Sequence, residues 1–310
     1  MTEYDLVIIG GGPGGLSAGI YSMRAALKTV LIEKSVFGGQ ITMTDSVDNY
    51  PGFVEINGYE LAQKFYEHAQ KFSLETIQRE VIELNPGKTF HEVKLSNNEI
   101  LKARAVILAC GGSARSLGIP GEKDLYGKGV SYCATCDGFF FRDKVVAVIG
   151  GGNTAVEEAL YLSKLVKKVY LIHRRDELRA SAILQKKVIE ETKIDILWNT
   201  IPIEIKSDDQ RVTGLSVKDK IEGTKSELSL DGVFIFIGYN PNNQIVPEKI
   251  KKSNDGYIIT DEACRTNING IYAVGDLRNN YAKQIVISAS EGCIAALDAA
   301  KYVENQKMSD

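Results

Sequence analysis

The sequence predicts an α/β protein made of two Rossmann-like, doubly wound nucleotide-binding domains, the second inserted into the first. Three observations lead there. Strand, glycine turn, helix and strand follow one another twice: residues 5–9, 10–15, a helical stretch to Leu27 and 29–33, then residues 144–149, 150–155, a helix through Leu165 and 168–172. The strand segments are short unbroken apolar runs, the pattern of parallel strands covered by helices on both faces. At 310 residues the chain also exceeds the roughly 100 to 200 usual for one domain, so each unit has material for its own core.

The remaining elements set the domain limits. Residues 105–109 form a further buried strand that ends at Cys110-Gly111-Gly112, and residues 113–122, rich in Gly, Ser and Pro, read as a linker. A second crossing follows the apolar strand 233–236, at Ile237-Gly238-Tyr239-Asn240-Pro241-Asn242. The chain then returns to the first domain near Gln244 and closes with a strand at 270–274 and an alanine-rich helix. The domains expected are therefore residues 1–112 with 244–310, and residues 113–243. The duplicated nucleotide-binding unit is the internal repeat.

Composition excludes several classes. Apolar residues are 44% and charged residues 25%, which is ordinary for a folded globular chain and argues against disorder. The formal net charge of -3 gives no footprint for nucleic acid or an anionic membrane. Glu3 and Asp5 replace the basic segment of a secretory signal, and no apolar run approaches the ~18 residues that span a bilayer, so a cytoplasmic protein is expected.

Gly10-Gly11-Gly12-Pro13-Gly14-Gly15 satisfies G-x-G-x-x-G between a strand and a helix. Gly10 permits the tight turn, Gly12 lets a pyrophosphate approach the backbone, and Gly15 lets the helix pack closely. The start of the following helix offers free N–H groups and partial positive charge to a diphosphate. Glu33 ends the next strand at the offset of an acid that binds ribose hydroxyls.

Gly150-Gly151-Gly152-Asn153-Thr154-Ala155 repeats the fingerprint as G-x-G-x-x-A. Where an acid would favour NADH, the sequence has His173-Arg174-Arg175-Asp176, with Arg179 one turn on. Guanidinium groups bind phosphate oxygens in a bidentate way, so Arg174, Arg175 and Arg179 argue for the 2′-phosphate of NADPH.

Cys133-Ala134-Thr135-Cys136-Asp137 lies between the linker and the second glycine turn. Zinc would need further ligands at matched spacing, but Cys110, Cys264 and Cys293 stand alone and His68, His91 and His173 form no cluster, so no metal is expected. A structural pair remains an alternative, while two thiols separated by two residues suit reversible redox exchange. Asp137 is placed to give or take a proton, or to cap a helix. The other cysteines read as buried structural thiols, and His68 and His91, in polar surroundings, as surface residues.

These motifs, in this order, resemble those of the bacterial-type, low-molecular-weight thioredoxin reductases over essentially the whole chain. Gly38-Gly39-Gln40, Asn49-Tyr50-Pro51-Gly52 and the segment 270–276, ending in Gly275-Asp276, are similar to the family's FAD-binding signatures. Gly152-Asn153-Thr154-Ala155 and His173-Arg174-Arg175-Asp176 are similar to its NADPH signatures. The resemblance implies that Asp276 bonds the FAD ribityl or phosphate region and that Lys283, Gln284 and Ile285 approach the flavin, Lys283 standing where the family more often has Arg.

It further implies hydride transfer from NADPH to FAD, reduction of Cys133–Cys136 by the flavin, and exchange with a thioredoxin disulfide. Cys136 would face the flavin, Cys133 attack the partner, and Asp137 serve as acid and base, in a homodimer. One dithiol must then meet both a buried flavin and a protein disulfide, which predicts a domain rotation about the two linkers. Two alternatives share the architecture, a ferredoxin-linked flavin thioredoxin reductase and a small-molecule dithiol oxidase. The intact Gly150 turn and its arginines argue against both.

Overall fold

A computed structural model of the chain describes residues 2–44, 47–208 and 210–309. Two compact units divide it, Met1–Ser113 with Asn240–Asp310, and Ala114–Tyr239. These limits fall at 113/114 and 239/240, against the 112/113 and 243/244 expected. At the second, Tyr239–Pro241 is a short strand rather than open loop.

In chain order, β1 (Thr2–Ile9) runs through the first glycine turn into α1 (Pro13–Arg24) and β2 (Thr29–Glu33). There follow α2 (Gly58–Lys71), β3 (Glu75–Gln78), β4 (Val81–Asn85), β5 (His91–Leu95), β6 (Ile100–Leu108) and β7 (Gly112–Ala114). The second unit holds β8 (Val130–Ser131), α3 (Ala134–Asp137), β9 (Val145–Gly150), α4 (Asn153–Ser163), β10 (Lys168–Ile172), α5 (Ala182–Glu190) and β11 (Ile194–Leu197). It continues with β12 (Thr200–Ser207), β13 (Val212–Asp219), β14 (Lys225–Ser229) and β15 (Gly232–Phe236), and β16 (Tyr239–Pro241) pairs with β7. The chain ends with β17 (Ile271–Ala273) and α6 (Ile285–Ser309).

The first unit's sheet runs β3-β2-β1-β6-β5-β4, with β17 also on β6. Strands β3, β2, β1, β6 and β17 are parallel, and β4 and β5 add antiparallel strands. β1 is buried on both faces, which explains its unbroken apolar run. Leu6 and Ile8 meet Leu16 and Ala18 of α1 and Ala295 and Ala299 of α6, while Val7 and Ile9 pack with Val93, Leu108, Val246 and Ile258. A side chain at Gly292 would strike the Gly14 carbonyl, so α6 lies hard against the start of α1.

The second unit has a parallel sheet ordered β11-β10-β9-β15-β8. One face, with Val146, Val148, Leu171 and Phe234, is covered by Ala155, Ala159 and Leu162 of α4 and Val188 of α5. The other differs from the helical cover expected: Ala147, Ile149, Val233 and Ile235 pack against Ile205, Leu215 and Val217 of the antiparallel meander β12-β13-β14. Either layer removes the same apolar surface from water, and burial does not distinguish them.

His91 is not a surface residue. It is only 1% exposed, because strand alternation turns it inward with Val93 and Leu95. Its Nδ1 accepts from the Gly87 N–H at 3.3 Å. Burial pushes the imidazole down to about 4, against a hydrogen bond to the Asn269 backbone that favours protonation. An unfolded chain protonates this group near 6.5, so between those values the unfolded state binds the extra proton and acidification destabilises the fold. We expect about 3 kcal/mol of stability to be lost from this residue between pH 6.5 and 4. Denaturant unfolding across that window measures it, and His91→Gln should flatten the slope.

Candidate active site

The first glycine turn joins β1 to α1. Gly10 has φ +110°, a conformation costly for any side chain, and a Cβ at Gly15 would fall on the Gly10 carbonyl oxygen. A Cβ at Gly12 would meet nothing within 4 Å, so the backbone there faces open space at the start of α1, whose first residue is Pro13. The buried Glu33 carboxylate accepts from Gly11 N–H at 2.7 Å through Oε2 and from Ser35 N–H at 2.9 Å through Oε1. Gly38 N–H donates to the Gly11 carbonyl at 2.7 Å, and Gly39 lies against Gly12. Gln40 Nε2 donates to the Gly112 carbonyl at 2.6 Å. An open glycine face, a helix start and an anchored acid fit a dinucleotide diphosphate and ribose.

A second loop of the same unit carries Gly275 and Asp276. Glu291 of α6 accepts from Gly275 N–H at 2.7 Å, from Asn280 Nδ2 at 3.3 Å and from Arg278 Nη1 at 3.0 Å, all largely buried. Lys283 donates its Nζ to the Asp276 and Arg278 carbonyls and to Asn280 Oδ1, at 3.2, 2.7 and 2.7 Å, and lies over the Tyr257 ring. Its ammonium is therefore used within the loop, and burial holds its pKa below the usual lysine value. Gln284 Oε1 and Asn49 Nδ2 are 3.5 Å apart, and Ile285 packs on the Ile41, Val47 and Ile56 cluster. Asn49, Gln284 and Ile285 are thus brought together at the start of α6.

The second glycine turn joins β9 to α4. Gly150 packs against the Phe236 carbonyl, and Gly152, ahead of Asn153 and Thr154, again faces open space. The segment after β10 is tied to this turn. Arg179 N–H donates to the Gly151 carbonyl at 2.7 Å, and Ser181 N–H to Asn153 Oδ1 at 2.8 Å. Arg174, Arg175 and Arg179 are exposed, whereas the His173 ring is buried with each nitrogen 3.0 Å from a carbonyl oxygen, of Gly150 and of Glu177. Burial, and then the Arg175 and Arg179 cations, hold His173 below the ordinary histidine value against those two bonds.

Cys133 and Cys136 form a disulfide across α3. Ala134 between them is buried in the core with Val156 and Leu162, while Thr135 is exposed, which anchors the dithiol and leaves its outer side open. Cys136 N–H donates to Cys133 Sγ at 3.2 Å, a bond that favours a thiolate there. Asp137 does not cap the start of the helix, a place taken by Cys133. Its Oδ2 accepts from the buried Ser131 hydroxyl at 2.5 Å, and Ser131 Oγ in turn accepts from Cys133 N–H at 3.0 Å. Of the remaining cysteines only Cys264 is fully buried; Cys110, just past the end of β6, and Cys293, within α6, are half-buried. Burial pushes both the Cys110 and the Cys264 thiol up to about 12, which leaves them protonated and unreactive at neutral pH.

Comparison with known proteins accords with this arrangement. Residues 4–292 match the family model described as pyridine nucleotide-disulphide oxidoreductase. The chain belongs to that family. Within it, the relatives are thioredoxin reductases: that of Bacillus subtilis (strain 168) is 44% identical over 301 residues, 97% of this chain and 95% of its own. The crystal structure of thioredoxin reductase from Streptococcus pyogenes MGAS5005 matches with TM-score 0.95 at 40% identity, over 98% of this chain and 99% of its own. Thioredoxin reductase from Giardia duodenalis matches with TM-score 0.93 at 35% identity, over 98% and 100%.

Three supporting residues escaped the sequence reading. Ser131 and Glu291 act on partners brought near only by folding. Glu122, 1% exposed, accepts from Ser116 Oγ, Leu117 N–H, Gly118 N–H and Tyr132 OH, at 2.7 to 2.8 Å. Burial alone would raise its pKa, but these four bonds outweigh it and hold the carboxyl below its usual range. It fastens segment 116–118 to the residue preceding Cys133. The signal was a lone acid within a Gly- and Pro-rich stretch. Glu122→Gln turns an amide donor toward these donors, so the unfolding free energy should fall by about 1–3 kcal/mol in denaturant titration.

Proposed function

We propose that the protein reduces a disulfide of thioredoxin, or of a thioredoxin-like protein, with electrons from NADPH delivered through FAD and the Cys133–Cys136 pair. The observation that carries this reading is the disulfide itself, set on α3 beside Ser131 and Asp137 in the unit that holds the second dinucleotide turn. The relatives' name supports thioredoxin as the partner.

In this reading FAD is held by Gly10, Gly12, Pro13, Gly15 and Glu33, by Gly38, Gly39, Gln40 and Asn49, and by Gly275, Asp276, Lys283, Gln284 and Ile285. Lys283 serves by bracing the Asp276 loop. NADPH is held by Gly150, Gly152, Asn153 and Thr154, with Arg174, Arg175 and Arg179 on the 2′-phosphate and His173 behind them. When bound, FAD passes the electron pair of a nicotinamide hydride to the disulfide.

Reduction of the Cys133–Cys136 bond takes two electrons and, with Cys133 left as the thiolate, one proton, which ends on Cys136 Sγ. Asp137, its carboxylate oriented by Ser131, delivers one proton to sulfur and later removes it. Cys133 Sγ, favoured as thiolate by the Cys136 N–H, attacks the partner disulfide and forms a mixed disulfide, expelling one partner sulfur as a thiolate that takes a proton from solvent. Cys136 Sγ then attacks Cys133 Sγ, which restores the internal disulfide and releases the second partner thiol. The same reading makes the protein a cytoplasmic homodimer.

Thioredoxin-dependent reduction of an aromatic disulfide tests this. We expect turnover with NADPH, a much higher KM for NADH, and a fall of roughly three orders of magnitude or more in Cys133→Ser. Full turnover by Cys133→Ser, or none with NADPH, would contradict it.

A further inference from the structure

Resting on the reading of Cys133 as the sulfur that attacks the partner, we propose that the Thr135 hydroxyl is a further catalytic group. It donates to Cys133 Sγ and, once the disulfide is reduced, holds that sulfur as the attacking thiolate while Cys136 keeps the proton.

Cys133 stands at the N-cap of α3 with extended backbone, φ -147° and ψ 105°, and its sulfur is met by two groups of the first turn. Cys136 N–H donates to Sγ at 3.2 Å, and Thr135 Oγ1 lies 3.5 Å from the same atom. A disulfide sulfur carries no hydrogen, so in the second contact the hydroxyl is the donor. Both donors serve Cys133 Sγ, and the negative charge left by reduction is better placed there than on Cys136.

The titratable groups around this turn are Asp137 on α3 itself, Glu122 with the Tyr126 and Tyr132 phenols from the segment ahead of it, and Glu157 and Glu158 of α4, whose Val156 and Leu162 share a core with Ala134. None of them is a cation, and Arg142, the next cation along the chain after the pair, lies over the Phe139 ring. A neighbouring positive charge is a common means of holding a cysteine as thiolate. Here hydrogen bonds take its place. Thr135 is exposed while Ala134 is buried, so the hydroxyl stands on the open side of α3, where a partner disulfide can reach Cys133.

Thr135→Val keeps the shape of the side chain and removes the donor. Alkylation of the reduced, flavin-loaded protein by iodoacetamide, with Cys133 followed by peptide mass spectrometry as a function of pH, reads the effect. The thiolate displaces iodide, so the half-point of the rate profile is the pKa of the Cys133 thiol. The valine variant should move that half-point up by about 0.5–1 pH unit, the scale of one hydrogen bond to a partly exposed charge. Its rate should lie below the wild type's on the acid side and above it on the alkaline side, because a thiolate of higher pKa is the better nucleophile. Thr135→Ser, which keeps the hydroxyl, should restore the wild-type profile. Coincident profiles for wild type and Thr135→Val would overturn the proposal, as would a valine rate lowered equally at every pH, the mark of a merely loosened α3. A serine variant that follows the valine one would overturn it too. The measurement uses neither NADPH nor a partner protein, so it stands apart from the reading on which the proposal rests, which fails instead if Cys133→Ser still turns over thioredoxin.

Discussion

Both units are organised by a steric constraint at the end of a parallel strand, where the next helix begins so close that almost no side chain fits between. At the first turn the Cα of Gly15 sits against the Gly10 carbonyl, and at the second the Ala155 methyl fills the space beside Gly150. That closeness aims the free N–H groups of α1 and α4 past Gly12 and Gly152, where the backbone is uncovered. The neighbouring parallel strands then end beside the same opening. β2 delivers Glu33 to Gly11, and β10 delivers His173 and its arginines to Gly150 and Gly151.

The parallel framework was legible because its strands are buried on both faces and its turns need glycine. Leu6 to Ile9, for example, can be apolar without alternation only between two packed layers. The antiparallel parts were not legible. Segments such as β14, Lys225–Ser229, are mostly exposed and carry little apolar pattern, and their pairing depends on neighbours that the local sequence does not name. His91 was misread for a related reason: Lys88, Thr89, Glu92 and Lys94 around it are polar, and only the two-residue period with Val93 and Leu95 turns it inward.

The site shows the same division. Residues that must be a particular type for backbone or charge reasons stood out, namely the glycines, the arginines and the Cys-x-x-Cys pair. Residues that act through them did not, because Ser131, Glu122 and Glu291 are ordinary polar side chains until folding supplies their partners. Their effect is to make the working groups rigid. Glu291 sets the Gly275 turn from α6, Ser131 sets the Asp137 carboxylate, and Ala134 roots the dithiol in the core. The burial that raises the Cys110 and Cys264 thiols keeps those two out of thiol chemistry.

In the proposed cycle one chain couples a flavin to this dithiol. Anaerobic reductive titration of the purified protein, followed by its visible spectrum, tests that most directly. Two electron pairs should be taken up per chain, one by the flavin and one by the Cys133–Cys136 disulfide, and a single pair by a Cys133→Ser, Cys136→Ser double variant. Uptake of a single pair by both proteins would mean that the disulfide lies outside the electron path and would contradict it.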